Sequence, residues 1–419
     1  MIGAIADDFT GGTDVAVAFR RHGLRTAIVF GTPDPKVSMT DYDVVVLALK
    51  TRTVAPDNAV TQSVAAARWL RDQGARQLYF KFCSTFDSRP EGNIGPVADA
   101  LVELSRTDLV AVVPSSPEHG RTQYLGHLFV HSQLLSDSPM RDHPLTPMTD
   151  SRVAELLEPQ TSGVVQLVPH DVVRAGAESI ANRFDALRAD GVRYAVVDAI
   201  DDSDLSEIGT ALQHAPLITG AAGLAGGLAR AITRSGTALR GIEQDPVGPG
   251  PSVVLAGSCS AMTLEQIDRY KRRHPSFFMD VLRSQDPGLL AREAEMFLDR
   301  CIPGSSPLIY SSVPPERLRH IQEELGTDTA SSILEDAIGQ VANIVRARGI
   351  RRIIAAGGET SGAVTTVLNV RRGLIGSEQA PGVPWIFTDD GMALLLKSGN
   401  FGDPDMLVDA VAAHSTQRT

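Results

Sequence analysis

Asp7 and Asp8 stand side by side in the opening stretch MIGAIADDFTGGTDVA, with Thr10, Gly11 and Gly12 close behind. Neighbouring carboxylates repel, and glycines lose the most backbone freedom on folding, so stability alone is a poor reason for the grouping. The apolar run at 2–6 reads as a strand carrying the two acids at its carboxyl end, and the glycines would let a ligand approach the backbone before a helix that stops near Gly23. One Asp suffices to cap that helix. Successive side chains of an extended segment point to opposite sides, so the pair is expected to divide its work, one facing a site and the other orienting the loop.

Further polar groups gather at other expected strand ends. Lys50 and Arg52 follow the run at 44–49, Lys81, Ser84, Thr85, Asp87, Ser88 and Arg89 belong to the run at 77–82 and its sequel, and His119 and Arg121 follow 109–113. Cations suit a carboxylate, and hydroxyls or Asp suit the OH groups of a polyhydroxylated acid. Singly, a polar turn or a structural histidine explains each cluster. Four strand ends converging on charged loops favour a common site.

The second half has another texture. VVLAGSCSAMTLEQ and IIAAGGETSGAV each pass from strand through small residues into helix, and LLLKSGNFGDPD adds a third glycine loop. Such junctions expose backbone N–H groups and the positive end of a helix dipole, which suits phosphate. Thr263 and Gln266 fit a capping box at the first of these helices. The sequence contains no Walker A segment and no clean GxGxxG.

The elements that must position these residues form an α/β rhythm. Strands are expected over 2–6, 26–30, 44–49, 77–82, 109–113, 194–197 and 217–219, then over 253–256, 308–310, 353–356 and 393–396, separated by helix-period segments such as Val60, Val64, Ala67 and Leu70 ahead of Gly74. Apolar runs without polar alternation imply strands covered on both faces, hence mostly parallel sheets with crossover helices and sites at strand carboxyl ends. GIEQDPVGPGPS reads as a linker. Two α/β domains result, 1–240 and 252–419 joined by 241–251, with the active site expected in the interdomain cleft. The proline-rich stretch 125–166 has no assignable pattern, and the glycines of LITGAAGLAGGLAR suit close helix packing.

Composition narrows the class. A net charge of −11 over 419 residues argues against a nucleic-acid footprint, and no apolar run is long enough for a membrane span. With no basic, apolar and small-residue leader pattern, the expected location is the cytoplasm. Cys83, Cys259 and Cys301 are too far apart for a disulfide framework or a paired-cysteine zinc site, and read as reduced thiols.

Together IADDFTGGTDVA, YFKFCSTFDS, EGNIGPVADAL, EHGRT, HPLTPM, YAVVDA, VLAGSCSAMT, AAGGETS, APGVPW and LKSGNFG make the whole chain resemble the four-carbon acid sugar kinase family, most closely its 3-oxo-tetronate kinase branch. His119 stands where that family usually has Asn, and Gly12-Thr13 where it has Ala-Ser, departures that touch specificity more than reaction class.

The resemblance implies an ATP- and Mg²⁺-dependent kinase acting on the 4-hydroxyl of a small acid sugar, 3-oxo-tetronate first, with D-threonate and D-erythronate as alternatives and a homo-oligomer allowed. It implies an N-terminal domain for the sugar and a C-terminal domain for the nucleotide, lined by Ser258, Gly357, Gly358, Glu359, Thr360 and Gly399. Phosphoryl transfer then gives Asp8 the role of base and Asp7 that of orienter, with Asp87 the rival base. Lys50, Arg52, Lys81, His119 and Arg121 are candidates for the substrate's charges, and Ser84 and Thr85 for its hydroxyls. The metal ligands stay unassigned. Two rival classes are weighed: a haloacid-dehalogenase-like phosphatase, whose acids are spaced Asp-x-Asp rather than adjacent, and a non-catalytic acid-sugar sensor, which needs no phosphate pocket.

Overall fold

The computed structural model describes residues 1–34, 37–142, 146–234, 245–397 and 399–412. Residues 143–145 of the HPLTPM motif, 241–244 of the expected linker and Ser398 of the last glycine loop lie outside the described residues. The chain forms two compact units, Met1–Ile242 and Glu243–Thr419.

In the first unit the strands are β1 (Ile2–Ala6), β2 (Thr26–Phe30), β3 (Val44–Ala48), β4 (Gln77–Lys81), β5 (Val110–Val113), β6 (Arg121–Tyr124), β7 (His127–Val130), β8 (Gln133–Leu134), β9 (Val165–Val168), β10 (Tyr194–Val197) and β11 (Leu217–Gly220). Eight of them make a wholly parallel sheet in the order β2-β3-β1-β4-β11-β5-β10-β9. β1 to β5, β10 and β11 are buried at every position, as unbroken apolar runs covered on both faces must be. β9, the edge strand, is buried only at its two ends, Val165 and Val168.

From β1 the chain fills places on one side of that strand, with β2 and β3, and then crosses to β4 on the other, so strand order reverses between β1 and β4. The loops after those two strands therefore flank the crevice where doubly wound sheets bind ligands. β6, β7 and β8 form a small antiparallel sheet, the last two within the stretch 125–166 where sequence alone gives no pattern and β6 just ahead of it. The expected glycine packing is present: a Cβ on Gly227, in the helix Ala222–Arg234, would stand 2.0 Å from the carbonyl oxygen of Leu205 in the neighbouring helix Asp202–Leu212.

The second unit holds β12 (Ser252–Ala256), β13 (Ser276–Phe278), β14 (Leu308–Tyr310), β15 (Arg352–Ala356), β16 (Arg372–Ala380), β17 (Val383–Thr388) and β18 (Ala393–Lys397). They lie in the order β13-β14-β12-β15-β18-β17-β16, with β13 to β18 of this order parallel and the β16–β17 hairpin antiparallel. Here the order reverses between β12 and β15. The described part of the expected linker is held down: Arg352, 1% exposed, donates to the Gly248 carbonyl at 2.7 Å and pairs with Asp245. Burial pulls that guanidinium down to about 10.

Candidate functional site

Asp8 is the N-cap of the helix Phe9–Arg21, in extended backbone with its Oδ1 accepting from Gly11 N at 2.7 Å. It thereby meets one of the four donors that a helix start leaves unpaired. The glycines behind it have separate reasons. A Cβ on Gly12 would lie 2.5 Å from Ala48 Cβ, so its absence lets the helix press onto β3. A Cβ on Gly11 would lie 2.2 Å from Lys81 Nζ and 2.4 Å from Asp8 Oδ1, so its absence makes room for a buried ammonium beside a carboxylate. Lys81, the last residue of β4, is 4% exposed and forms no ion pair within 4 Å among the described residues.

Arg52 resolves the repulsion of the adjacent acids. Its Nε donates to Asp7 Oδ2 at 2.8 Å and its Nη2 to Asp7 Oδ1 at 2.9 Å, while Nη2 also lies 2.9 Å from Asp8 Oδ1. Burial opposes the Arg52 charge, but the Asp7 hydrogen bonds and carboxylate outweigh it and raise the guanidinium above its ordinary range. The loop carrying Arg52 is pinned by Asn93, whose Nδ2 donates to the carbonyls of Thr51, Arg52 and Val54 at 2.6, 3.2 and 2.9 Å. Nothing in the sequence marked Asn93 beyond its place in EGNIG.

A cavity of about 450 Å³ belongs to the second unit, described below; in the first, one of about 260 Å³ is lined by Arg52, Asp87, Ser88, Arg89, Asn93 and Thr146 among others. Asp87 Oδ2 accepts from the Cys83 thiol at 3.1 Å, whereas Asp87 Oδ1 is buried with no hydrogen-bond partner among the described residues. Thr85 is buried and within 2.9 Å of Cys83 Sγ; Ser84, half-buried, sits between them in sequence.

The remaining candidates fall around that core. Lys50 is exposed, its Nζ 4.8 Å from the centre of the Phe9 ring at the start of the helix. His119 and Arg121 gather elsewhere. His119 Nδ1 is 2.9 Å from Ser116 Oγ, its Nε2 is 3.9 Å from Asp14 Oδ1, and Arg121 bonds the His119 carbonyl. His119 and Asp14, but not Arg121, line a separate cavity of about 70 Å³ that shares no lining residue with the Arg52 cavity. Burial pushes the Asp14 carboxyl up, against the pull of the His119 and Lys81 charges, which makes Asp14 the link between the two groups. Asp14 lies inside the opening motif, where a lone Asp on a helix carries no sequence signal that sets it apart from a solvated one.

In the second unit three loops converge. Gly257 and Ser258 follow β12, Gly357 to Thr360 follow β15, and Gly399 lies just beyond β18. A Cβ on Gly257 would stand 2.5 Å from Thr360 Oγ1, and one on Gly399 2.6 Å from Ser258 Oγ; Gly357, at φ +132°, is in backbone that favours glycine. The helix Gly358–Val367 starts at this junction with no side-chain cap among the described residues, none of which stands within 4 Å of a Cβ on Gly358.

The helix Ala261–Lys271 is capped by Ser260, not Thr263: Ser260 Oγ accepts from Thr263 N at 3.3 Å. Thr263 Oγ1 is drawn instead to the Gly399 carbonyl at 2.8 Å, and Gln266 donates to the carbonyls of Phe401 and Asp403. Lys397 Nζ reaches Thr263 Oγ1 at 2.9 Å and the Gly399 carbonyl at 2.7 Å, and burial lowers it to about 8. The cavity of about 450 Å³ combines the glycine loops, Ser258, Glu359 and Thr360 with an apolar wall of Val313, Leu318, Ile321, Leu334 and Ile338. That size and mixture suit a ligand with an apolar ring at one end and anionic groups at the other. No group of three or more His, Cys, Asp or Glu able to hold a metal occurs among the described residues.

No helix among the described residues is long and apolar enough to cross a membrane. Comparison with known proteins agrees with the two-unit geometry. A Cupriavidus necator protein named 3-oxo-tetronate kinase is 45% identical, over 98% of this chain and 96% of its own length. Its Brucella melitensis namesake is 42% identical over 98% and 94%. A Salmonella typhimurium crystal structure, put forward as a tRNA synthase, superposes with a TM-score of 0.92 at 39% identity, covering 100% of this chain and 98% of the other. Models of a sugar-binding N-terminal domain and a nucleotide-binding C-terminal domain match residues 2–228 and 253–407. The chain belongs to the four-carbon acid sugar kinase family.

Proposed function

We propose that this protein is an ATP-dependent kinase that phosphorylates the 4-hydroxyl of a four-carbon acid sugar, 3-oxo-tetronate first among the candidates. The domains run over 1–240 and 252–419, the first taking the sugar and the second the nucleotide. One observation carries the reading: each unit has its own cavity beside the point where strand order reverses, one edged by Arg52 and acids, the other by glycine loops and an apolar wall. The names of relatives more than 40% identical over nearly the whole chain support the reaction class.

In the proposed step the sugar's hydroxyl oxygen bonds to the γ-phosphorus, the bond from that phosphorus to the β–γ bridging oxygen breaks, ADP departs, and the hydroxyl proton passes to a carboxylate. Asp8 is that carboxylate. Its Oδ1 is engaged by Gly11 and Arg52, and no hydrogen bond among the described residues takes Oδ2. Asp7, clasped by Arg52, orients the loop. Lys81 and Arg52 receive the substrate's negative charge, Ser84 and Thr85 its hydroxyls, and Lys50, His119 and Arg121 stand around that shell.

Ser258, Gly357, Gly358, Thr360 and Gly399 hold the phosphates through N–H groups and hydroxyls. Mg²⁺ would supply charge neutralisation on the phosphates, and Glu359 is among the acids of the cavity lining that would hold it. A second reading, with Asp87 as base, is favoured by its Oδ1, which has no partner among the described residues, in a residue that lines the same cavity as Arg52.

ADP release by the purified protein with ATP and Mg²⁺ tests the proposal, using 3-oxo-tetronates, D-threonate, D-erythronate and no acceptor. Turnover with an oxo acid alone supports the whole reading. Turnover only with D-threonate or D-erythronate moves the substrate within the family, and acid-sugar binding without ADP release would replace the kinase by a sensor.

A further inference from the structure

We infer that Cys83 is a positioning residue: its thiol fixes one oxygen of Asp87 so that the other meets a ligand hydroxyl in the cavity that Arg52 lines. The inference rests on the proposed function, since the ligand is the acid sugar, and adds a residue that neither the reaction nor the family assignment calls for.

A thiol carries one proton, and an ionised carboxylate only accepts. Cys83 Sγ, 3.1 Å from Asp87 Oδ2, therefore spends its proton there, and Thr85 Oγ1, 2.9 Å from the sulfur, is the donor to it. The chain runs Thr85 to Cys83 to Asp87, and each bond polarises the next. Burial, partly opposed by the Arg52 charge, pushes the Cys83 thiol up, which keeps it a protonated donor.

The backbone is bent to bring the ends of this chain together. Phe86 N donates to the Cys83 carbonyl at 2.9 Å, and Phe86 sits at φ +52° with its ring buried 5.3 Å from that of Phe82. A left-handed aromatic residue persists only where packing over-determines it. The outcome is an Asp87, itself part of the cavity lining, with Oδ2 held and Oδ1 buried without a partner among the described residues. A buried carboxylate oxygen left bare is costly, and a sugar hydroxyl supplies the missing donor.

The test is a double-mutant cycle of Cys83→Ala and Asp87→Asn, with Cys83→Ser as the donor-keeping variant, read as kcat and both KM values. Removing a hydrogen bond to a charged group should cut kcat/KM for the acid sugar by about ten- to a hundredfold in Cys83→Ala, with the KM for ATP unchanged. Cys83→Ser should recover most of the loss. In the Asp87→Asn background, Cys83→Ala should add less than about twofold, because its effect runs through Asp87.

A full Cys83→Ala effect in that background overturns the inference, as does a Ser variant no better than Ala at matched melting temperature. Cys83→Val, similar in volume and without a donor, replaces Cys83→Ala if the latter does not fold. Should wild-type protein release no ADP with any four-carbon acid sugar, the kinase reading fails, and calorimetric affinity for D-erythronate across the same variants decides the positioning role. Equal affinities would overturn it, and weakening in Cys83→Ala with recovery in Cys83→Ser would sustain it.

Discussion

Arg52 holds Asp7 through two parallel bonds, Nε to Oδ2 at 2.8 Å and Nη2 to Oδ1 at 2.9 Å, and the same Nη2 lies 2.9 Å from Asp8 Oδ1. One guanidinium thus makes an otherwise repulsive pair of acids tenable. Lysine cannot reproduce the fork. Arg52→Lys should lower stability by about 2 kcal/mol, as a shifted melting temperature, and turnover by about a hundredfold, because both acids lose their orientation. An unchanged rate would remove Arg52 from the site.

Gly11→Ala separates stability from function. Alanine is favoured over glycine inside a helix by about 1 kcal/mol, so the helix Phe9–Arg21 gains. The new Cβ meets Lys81 Nζ at 2.2 Å and Asp8 Oδ1 at 2.4 Å, so the buried ammonium and the capping carboxylate must shift, which offsets the helical gain. The expected variant melts close to the wild-type temperature and turns over at least about tenfold more slowly, displacement of positioned groups being expensive in rate. A fall in melting temperature with an intact rate would make Gly11 a packing residue only.

Asp8→Asn tests the base without touching the cap, because Asn is as good an N-cap as Asp. Helix and melting temperature should persist and ATP affinity should hold. The rate should fall by about a hundredfold or more, the usual scale of losing general-base help. Asp87→Asn, assayed beside it, assigns the roles: the variant with the larger loss of kcat at saturating sugar has lost the base, and a loss confined to KM marks a binding carboxylate.

How far the sequence reveals these relationships depends on their range. β1, β2 and β14 are visible to the residue because each is an apolar run bounded by polar turns. β6, β7 and β8 are hidden because they are short and half-exposed, and the β16–β17 hairpin because Gly373, Gly376 and Pro384 break its alternation. The glycine loops are legible as a group. Their convergence on Ser258 is not, since it depends on a strand order that brings 257, 357 and 399 together. The same applies to Arg52 with Asp7, 45 positions apart in the chain. Thr263 illustrates a local rule overridden by tertiary contact: its hydroxyl fits a cap, but Ser260 already fills that place and Gly399 claims the Thr263 side chain.

The nucleotide loops should respond independently of the sugar site. Gly399→Ala would put a Cβ 2.6 Å from Ser258 Oγ and 3.0 Å from Ser260 Oγ, forcing the first and third loops apart. The expected result is a KM for ATP raised by about tenfold, with the KM for the acid sugar within about twofold of wild type. Equal rises in both would count against separate sites.

Lys397 makes a pH signature. Its side chain is buried at the base of the third loop, and burial lowers its pKa from 10.5 to about 8. The unfolded chain therefore binds this proton more tightly than the folded one, so raising the pH from about 8 towards 10.5 favours the native state. Below about 8 both states are protonated and this contribution is gone. Tyr79, Tyr194 and Tyr270, all held above the ordinary tyrosine value of 10.0 chiefly by burial, act in the opposite direction once the pH passes that value. The informative window is thus pH 8 to 10. Lys397→Met abolishes the titration, so the stability of wild type minus that of the variant, from urea unfolding, should rise with pH across that window. A flat difference would mean that Lys397 keeps its proton there and that the Gly399 carbonyl and Thr263 hydroxyl solvate the ammonium better than its burial suggests.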